Sequence, residues 1–307
     1  MMAIERLGLG LAALGRPAYI NLGREGQLPA SRTVAAMRAA TWEVLDAAYE
    51  SGVRWVDAAR SYGRAEEFLA GWLADRGHRD VMVSSKWGYA YVGDWRTDAD
   101  VHEVKEHTLA RFQSQLAETR KLLGDHVRLY QVHSLTADSP LFDDLPLQRA
   151  LAAAAAEGLR MGFSTSGPAQ PETVRRALRL GVFSAVQSTW NPLEPSVGEA
   201  LYEAHEAGLH VLVKEALANG RLAVQPPPSV ARLAERHDLG PDAVALAAAL
   251  AQPWADTVLM GAASVAQLRS NLAAATLALT EDDVATLAGL AIPPQEYWSI
   301  RAALPWN

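Results

Sequence analysis

Four residues of unlike chemistry stand at or just beyond the ends of three successive apolar runs. Asp57 closes the run 53–57, Lys86 the run 81–86 and His133 the run 127–133. Tyr62 follows Asp57 by five residues, in Asp57-Ala-Ala-Arg-Ser-Tyr62-Gly63. If the runs are neighbouring strands, a carboxylate, a phenol, an ammonium and an imidazole converge on one spot. A buried lysine needs a counter-charge, which Asp57 can supply. The cation so held can lower the proton affinity of Tyr62, whose unperturbed pKa of about 10 is high for work near neutrality. His133 can donate to a substrate oxygen or relay a proton.

Taken singly, each has a plainer use. Asp57 can serve as a turn or cap residue, Tyr62 as a core tyrosine, Lys86 as a side chain reaching the barrel rim and His133 as a bonded strand end. Four titratable types at three consecutive strand ends are what mark a site. Lysine usage sharpens the point, because the chain has only Lys86, Lys105, Lys121 and Lys214 and otherwise uses arginine. A lysine can titrate where arginine cannot.

To converge, these residues need strands side by side. Eight short runs rich in Val, Leu and Ala lie at 7–14, 53–57, 81–86, 127–133, 159–165, 183–190, 210–216 and 257–262. They are apolar almost throughout, as strands covered on both faces of a parallel sheet are. Helical periods separate them. Leu109, Phe112, Leu116, Thr119 and Leu123 recur at three- and four-residue steps, as do Leu268, Leu272, Ala275 and Leu279. Further helices are predicted to start near Thr41, Arg64, Pro146, Pro171, Ser196 and Pro241. Eight such βα units predict an α/β single-domain (β/α)8 TIM barrel over 1–307, with its active site at the C-terminal face of the strands. The rival is an open doubly wound sheet. Its glycine fingerprint is poorly met, since Gly8-Leu9-Gly10-Leu11-Ala12-Ala13 runs into Gly15-Arg16-Pro17 instead of a helix. The irregular segments 16–31, 87–97 and 218–228 each follow a strand and would share the catalytic face.

Composition narrows the function. Of 307 residues, half are apolar, and 28 Lys+Arg against 35 Asp+Glu give a net charge of −7. That balance argues against a nucleic-acid partner, which needs a basic stripe. With no cysteine, disulfides, thiolate metal sites and thiol catalysis are excluded. No apolar run is long enough to span a bilayer. Residues 1–4 lead into Glu5 and Arg6 without a leader pattern, so a cytoplasmic protein is expected. No metal is expected either: His133 has no second histidine at ligand spacing, and His102 with His107 lies in a polar stretch.

The sequence resembles the aldo-keto reductases, (β/α)8 barrels that reduce aldehydes and ketones with a nicotinamide cofactor. Their Asp, Tyr, Lys and His tetrad is similar in context to Asp57, Tyr62, Lys86 and His133 here. Gly8-Leu9-Gly10 looks like the family's first strand. Gly162-Phe163-Ser164-Thr165 resembles its Gly-x-Ser-Asn segment, and Gln187 the glutamine that holds the carboxamide of the nicotinamide. Gly261 to Asn271, with Ser264 and Gln267 between, resembles the last strand and helix, which grip the adenosine end. The resemblance implies hydride transfer to a carbonyl carbon, with Tyr62 as general acid, Lys86 and Asp57 tuning it and His133 orienting the carbonyl. It implies a cofactor site of Gly10, Ser164, Thr165, Gln187, Lys214, Leu217, Gly220, Gly261, Ser264, Gln267 and Asn271, holding NADP (as NADPH), with NAD left open.

The chain departs from the pattern in three places. Thr165 replaces the usual asparagine, and Arg128 stands where many members carry aspartate. Val213-Lys214-Glu215-Ala216-Leu217 replaces a segment whose tyrosine stacks on the nicotinamide; Lys214 cannot stack, and is expected either to pair with Glu215 or to contact cofactor or substrate. For a small carbonyl substrate, Tyr19, Trp87 and Trp95 are expected to line an apolar mouth, together with Tyr89, Tyr91 and the tail aromatics Tyr297, Trp298 and Trp306. Two alternatives stay open: a lyase in which Lys86 or Lys214 forms a Schiff base, and a non-catalytic member that binds cofactor.

Overall fold

The structure, a computed structural model, describes residues 3–307, so the first two residues of the opening fall outside it. Ten strands occur among the described residues: β1 (Leu7–Gly10), β2 (Trp55–Asp57), β3 (Met82–Trp87), β4 (Tyr89–Tyr91), β5 (Glu103–Lys105), β6 (Val127–Leu135), β7 (Arg160–Thr165), β8 (Ala185–Thr189), β9 (His210–Lys214) and β10 (Thr257–Met260). Eight pair in parallel as β1-β2-β3-β6-β7-β8-β9-β10, and β10 closes on β1. Each barrel strand falls within or over one of the eight apolar runs. The hairpin β4–β5 stands apart in the loop after β3, a segment read from sequence as irregular up to residue 97.

The helices are α1 (Val34–Glu50), α2 (Ala65–Arg76), α3 (Leu109–Leu123), α4 (Leu145–Ala156), α5 (Gln170–Leu178), α6 (Gly198–Glu206), α7 (Pro228–His237), α8 (Pro241–Leu250), α9 (Val265–Leu272), α10 (Glu281–Ala288) and α11 (Pro294–Ala302). Two sequence expectations need correction. The first helix begins well before Thr41, because Thr33 accepts from the Ala36 N–H as cap; Thr41 sits buried inside the helix and donates to the Met37 carbonyl. The run 268–279 is not one helix: it breaks after Leu272 into a short turn, Ala273–Thr276.

Strand alternation builds the barrel interior in layers. Leu129, Ala185, Leu212 and Leu259 form an apolar cluster against Trp55 and Met82. Two residues further along the same strands come Gln131, Gln187, Lys214, Gly261, Asp57 and Ser84, so the next layer is polar. The odd-numbered and even-numbered partners between them, such as Val56, Val83, Val186, Val211 and Val213, point outward into the main core beneath the helices. A dry lower plug thus supports a polar upper layer at the C-terminal face.

Candidate active site

Asp57 is the hub of the upper layer. Its Oδ1 accepts from Ser84 Oγ at 2.7 Å, Gln187 Nε2 at 3.1 Å and Gln131 Nε2 at 3.2 Å. The other oxygen takes the Lys86 ammonium in a fully buried ion pair. Lys86 Nζ also donates to the Ala58 carbonyl at 3.1 Å and to the Tyr62 hydroxyl at 3.3 Å. All three lysine hydrogens are therefore committed, and Tyr62 is left with its own hydrogen to give.

Backbone packing sets Tyr62 in place. A Cβ on Gly15 would stand 2.3 Å from the Tyr62 carbonyl, and one on Gly63, where φ is +60°, would stand 2.5 Å from the Gly15 carbonyl. Only glycine permits the two loops to interlock this closely. The Arg64 N–H bonds the Gly15 carbonyl at 2.8 Å and closes the joint. The clasp brings in Arg16, a residue the sequence reading did not assign to the site. It is buried, its guanidinium lies 5.1 Å from the Tyr62 ring and 4.5 Å from the Tyr19 ring, and it pairs with Glu103 of β5 at 2.6 Å.

His133 reaches the cleft through a bulge. The β6–β7 register shifts between Val132 and Leu135, with Ser134 at φ +50°, and the Ser134 N–H is held by Ser164 Oγ at 2.8 Å. His133 Nδ1 lies 3.3 Å from Ser61 Oγ, and its ring packs edge-on to Tyr62 at 5.4 Å. Burial, then the nearby Lys86, Lys214 and Arg16 charges, push its proton affinity well below the ordinary histidine range, so the imidazole is neutral. Tyr62 moves the other way. Burial and then the Asp57 carboxylate push its phenol well above the usual value, with Arg16 opposing. The lowering expected from Lys86 is thus outweighed, because the ammonium is neutralised by Asp57 while the phenol is desolvated.

Lys214 and Glu215 form the far wall. Glu215, at φ +55°, takes Arg301 of α11 through Nε at 3.0 Å and Nη2 at 2.5 Å and also accepts from Thr189 Oγ1 at 3.0 Å. Burial alone would raise its carboxyl, but Arg301 and then Lys214 hold it down at about 2. Lys214 Nζ donates to Thr189 Oγ1 at 2.7 Å and lies 3.7 Å from Glu215. Burial lowers its proton affinity to about 8, with Glu215 opposing.

These groups line one cleft of about 250 Å³, walled by Arg16, Asp57, Tyr62, Glu103, His133, Lys214, Glu215 and Arg301. Of the residues expected to hold cofactor, Gly10, Gln187, Lys214, Leu217 and Gly261 line it. The others stand behind it. Ser164 holds Ser134, Thr165 bonds Gln170 and Ser188, Gly220 packs on Leu22, and Asn271 donates to Asp242. Ser264 caps α9 and donates to Gln27, while Gln267 bonds the Ala263 N–H and the Gly23 carbonyl, so residues 21–27 cross over that end.

For substrate, Tyr19 lines the cleft but Trp87 and Trp95 do not. Trp87 follows the inward Lys86, so alternation turns it outward onto Phe112, 5.0 Å away. Trp95 donates its indole N–H to the Arg32 carbonyl at 2.7 Å and packs edge-on to Phe68 over α2. Tyr89 and Trp306 take their places, Trp306 stacking on His102 at 4.2 Å. Backbone bonds between Tyr19 and Asn307, 3.1 and 3.2 Å, tie the tail over the mouth.

A closed parallel barrel with a buried Lys–Asp pair beneath a tyrosine and a buried histidine at its C-terminal face is the architecture of the (β/α)8 class. The chain belongs to the aldo/keto reductase family, whose model matches residues 6–292, and family membership makes it an oxidoreductase. It is 27% identical to an aldo-keto reductase, str7, from Strobilurus tenacellus, over 81% of this chain and 80% of the other. Its fold matches an aldo-keto reductase from Bacillus halodurans solved in holo form, with TM-score 0.72, 21% identity and coverage of 94% and 92%. A glycerol dehydrogenase from Gluconobacter oxydans matches with TM-score 0.71, 18% identity and coverage of 93% and 90%. No helix among the described residues is long and apolar enough to cross a membrane.

The residues present fit the nicotinamide cofactor that the family generally binds. Gln187 makes its described hydrogen bonds through Nε2, which leaves its amide oxygen for a ligand's amide. Further along the wall, Asn219 Oδ1 is buried without a partner. At the β10 end a Cβ on Gly261 would meet nothing within 4 Å, so the cleft is open there.

Proposed function

We propose that the protein uses NADPH to reduce an aldehyde or ketone, by direct hydride transfer to the carbonyl carbon, and that it runs the reverse oxidation of the alcohol. The observation that carries this reading is the chain Asp57–Lys86–Tyr62, in which the phenol accepts from a fully committed ammonium and faces the cleft with its own hydrogen free. A bound reduced nicotinamide supplies the hydride. Tyr62 gives its proton to the carbonyl oxygen as that oxygen gains charge, and Lys86 then steadies the phenolate. Neutral His133, with Nδ1 toward Ser61, turns Nε2 to the same oxygen and orients it. Because the phenol stays protonated across the neutral range, reduction is expected to hold steady there and to fall only in alkali. Gln187, Leu217, Asn219 and Gly261 would hold the cofactor, with Ser264 and Gln267 at the start of α9 supplying polar contacts for a 2′-phosphate.

The test is oxidation of NADPH and NADH, followed by absorbance, against a panel of neutral and charged aldehydes and ketones. Turnover with NADPH that Tyr62→Phe abolishes supports the reading. No oxidation of either cofactor with any carbonyl removes it.

A second reading has one observation in its favour: Lys214 is a buried lysine of depressed proton affinity in the cleft, as a Schiff-base lysine must be. Borohydride reduction of protein plus carbonyl, without cofactor, would add substrate mass at Lys214 if this reading holds. Lys86 is unsuited, since its nitrogen is already engaged by Asp57, the Ala58 carbonyl and the Tyr62 hydroxyl.

A further inference from the structure

The charged groups around the cleft do not cancel. Four cations stand there, Arg16, Lys86, Lys214 and Arg301, against three carboxylates, Asp57, Glu103 and Glu215. Each carboxylate has a close partner: Glu103 takes Arg16 at 2.6 Å, Asp57 takes Lys86, and Glu215 takes Arg301 through two nitrogens. Lys214 is the cation left over. Its nearest carboxylate is the already paired Glu215 at 3.7 Å, and its one short bond goes to the neutral Thr189 hydroxyl. Its side chain is only 15% exposed, and the residue lines the cleft that Tyr62 and His133 also line. A charge removed from water and left without a full counter-ion calls for one from the ligand.

We infer that the carbonyl substrate carries an anionic group, a carboxylate or a phosphate ester, and that Lys214 Nζ receives it while Tyr62 and His133 hold the carbonyl oxygen. The inference rests on the reductase reading and names its substrate class. Lysine suits the task because an ammonium with one hydrogen on Thr189 retains others to aim at a ligand. Burial disfavours the charged form of Lys214, Glu215 favours it, and Arg301 and Lys86 oppose it, so an incoming anion restores the balance. Arg16 and Arg301 stay with their own carboxylates and contribute field only.

The experiment compares aldehyde acids with their methyl esters, which match in reach but lack the charge. NADPH-dependent kcat/KM is measured for 4-carboxybenzaldehyde, succinic semialdehyde and a phosphorylated aldehyde beside the esters of the two acids. The unaltered protein is expected to prefer the anion of a pair. In Lys214→Met that preference is expected to fall by about 30-fold or more, since removing one partner of a desolvated charge pair costs at least about 2 kcal/mol. Lys214→Arg is expected to keep a preference. Quenching of tryptophan fluorescence by benzoate, with no cofactor present, gives a readout independent of turnover, and Lys214→Met is expected to weaken it. An unaltered protein that turns over acids and esters equally overturns the inference and leaves the reductase reading standing. So does a Lys214→Met variant that loses NADPH affinity while its acid-to-ester ratio is unchanged, because the charge then serves the cofactor phosphates. Failure of every carbonyl, with benzoate still bound through Lys214, instead overturns the reductase reading and keeps the anion site.

Discussion

The two ends of the cleft are built differently. At the tetrad end, Asp57, Lys86, Gln131, Gln187 and Lys214 lie on five barrel strands and point inward by strand alternation, above a dry apolar plug. At the β10 end, Ser264 and Gln267 are gripped by Gln27 and the Gly23 carbonyl from a loop that crosses over them. Strands fix a side chain through their own ladder and through the core beneath. The crossing loop is itself anchored by buried Arg24, which donates to the Ala13, Arg16 and Pro17 carbonyls, but its contacts to Ser264 and Gln267 are exposed hydrogen bonds that water can replace. The tetrad end is therefore preorganised throughout, and at the β10 end only the contacts to Ser264 and Gln267 can open.

Substitutions should separate the two ends sharply. The largest effect is expected from Tyr62→Phe, which keeps the ring and removes the transferable hydrogen. NADPH-dependent turnover should fall by roughly 10²–10⁴ while the fluorescence-measured cofactor affinity stays nearly unchanged. Turnover at the parent rate would take the proton donor elsewhere.

Lys86→Met comes next and should act on stability as well as rate. It leaves the Asp57 carboxylate buried with only neutral donors, and breaking such a pair costs about 3–5 kcal/mol. Urea unfolding should show that loss. Any residual activity should also show a changed pH profile, because the phenolate has lost its cation. A variant as stable as the parent, with an unaltered profile, would deny Lys86 both roles.

Glu215 tests the wall between the two ends by pH. Its carboxyl is held at about 2 in the folded protein, against 4.5 ordinarily, by Arg301 and Lys214. A depressed carboxyl stabilises fully above its unfolded value and loses that stabilisation as pH falls toward the folded one. Glu215→Gln should therefore differ most from the parent at neutral pH, with the two unfolding curves converging between about pH 4.5 and 2. Curves that stay parallel through that window would mean that Glu215 gains nothing from its charge.

The same contrast decides what was legible in the sequence. The eight apolar runs, and the tetrad at the ends of three of them, could be read because strand burial and strand ends leave a pattern in residue type. The alternation that puts Lys86 inward also puts Trp87 outward; that signal was present at the position where an aromatic near a strand end was expected to meet substrate. Arg16 left no such trace. Its place beside Tyr62 depends on Gly15 and Gly63 interlocking two loops far apart in sequence, and a glycine in a loop does not say which backbone it lets in. The covering of Ser264 and Gln267 by residues 21–27 is a long-range loop contact of the same kind. Resemblance could single out these two positions, but not what holds them.

The smallest effects are expected at that strap, where two substitutions divide its roles. Ser264 Oγ caps α9 by accepting from the Gln267 N–H at 3.2 Å and donates to Gln27 Oε1 at 2.7 Å. Ser264→Ala loses both bonds, and loss of the cap alone costs about 1 kcal/mol. Gln27→Ala loses only the strap contact, on an exposed side chain, so stability should change by less than about 0.5 kcal/mol. If the crossing loop gates entry, the Gln27 variant should speed both NADPH association and release in stopped-flow fluorescence and leave their ratio nearly constant. The loop obstructs without discriminating, so opening it changes rates in both directions together. If Ser264 contacts the extra phosphate as proposed, its variant should also weaken NADPH relative to NADH. Equal rates in the parent and the Gln27 variant would make the crossing loop a fixed part of the wall, and the β10 end would then be as preorganised as the tetrad.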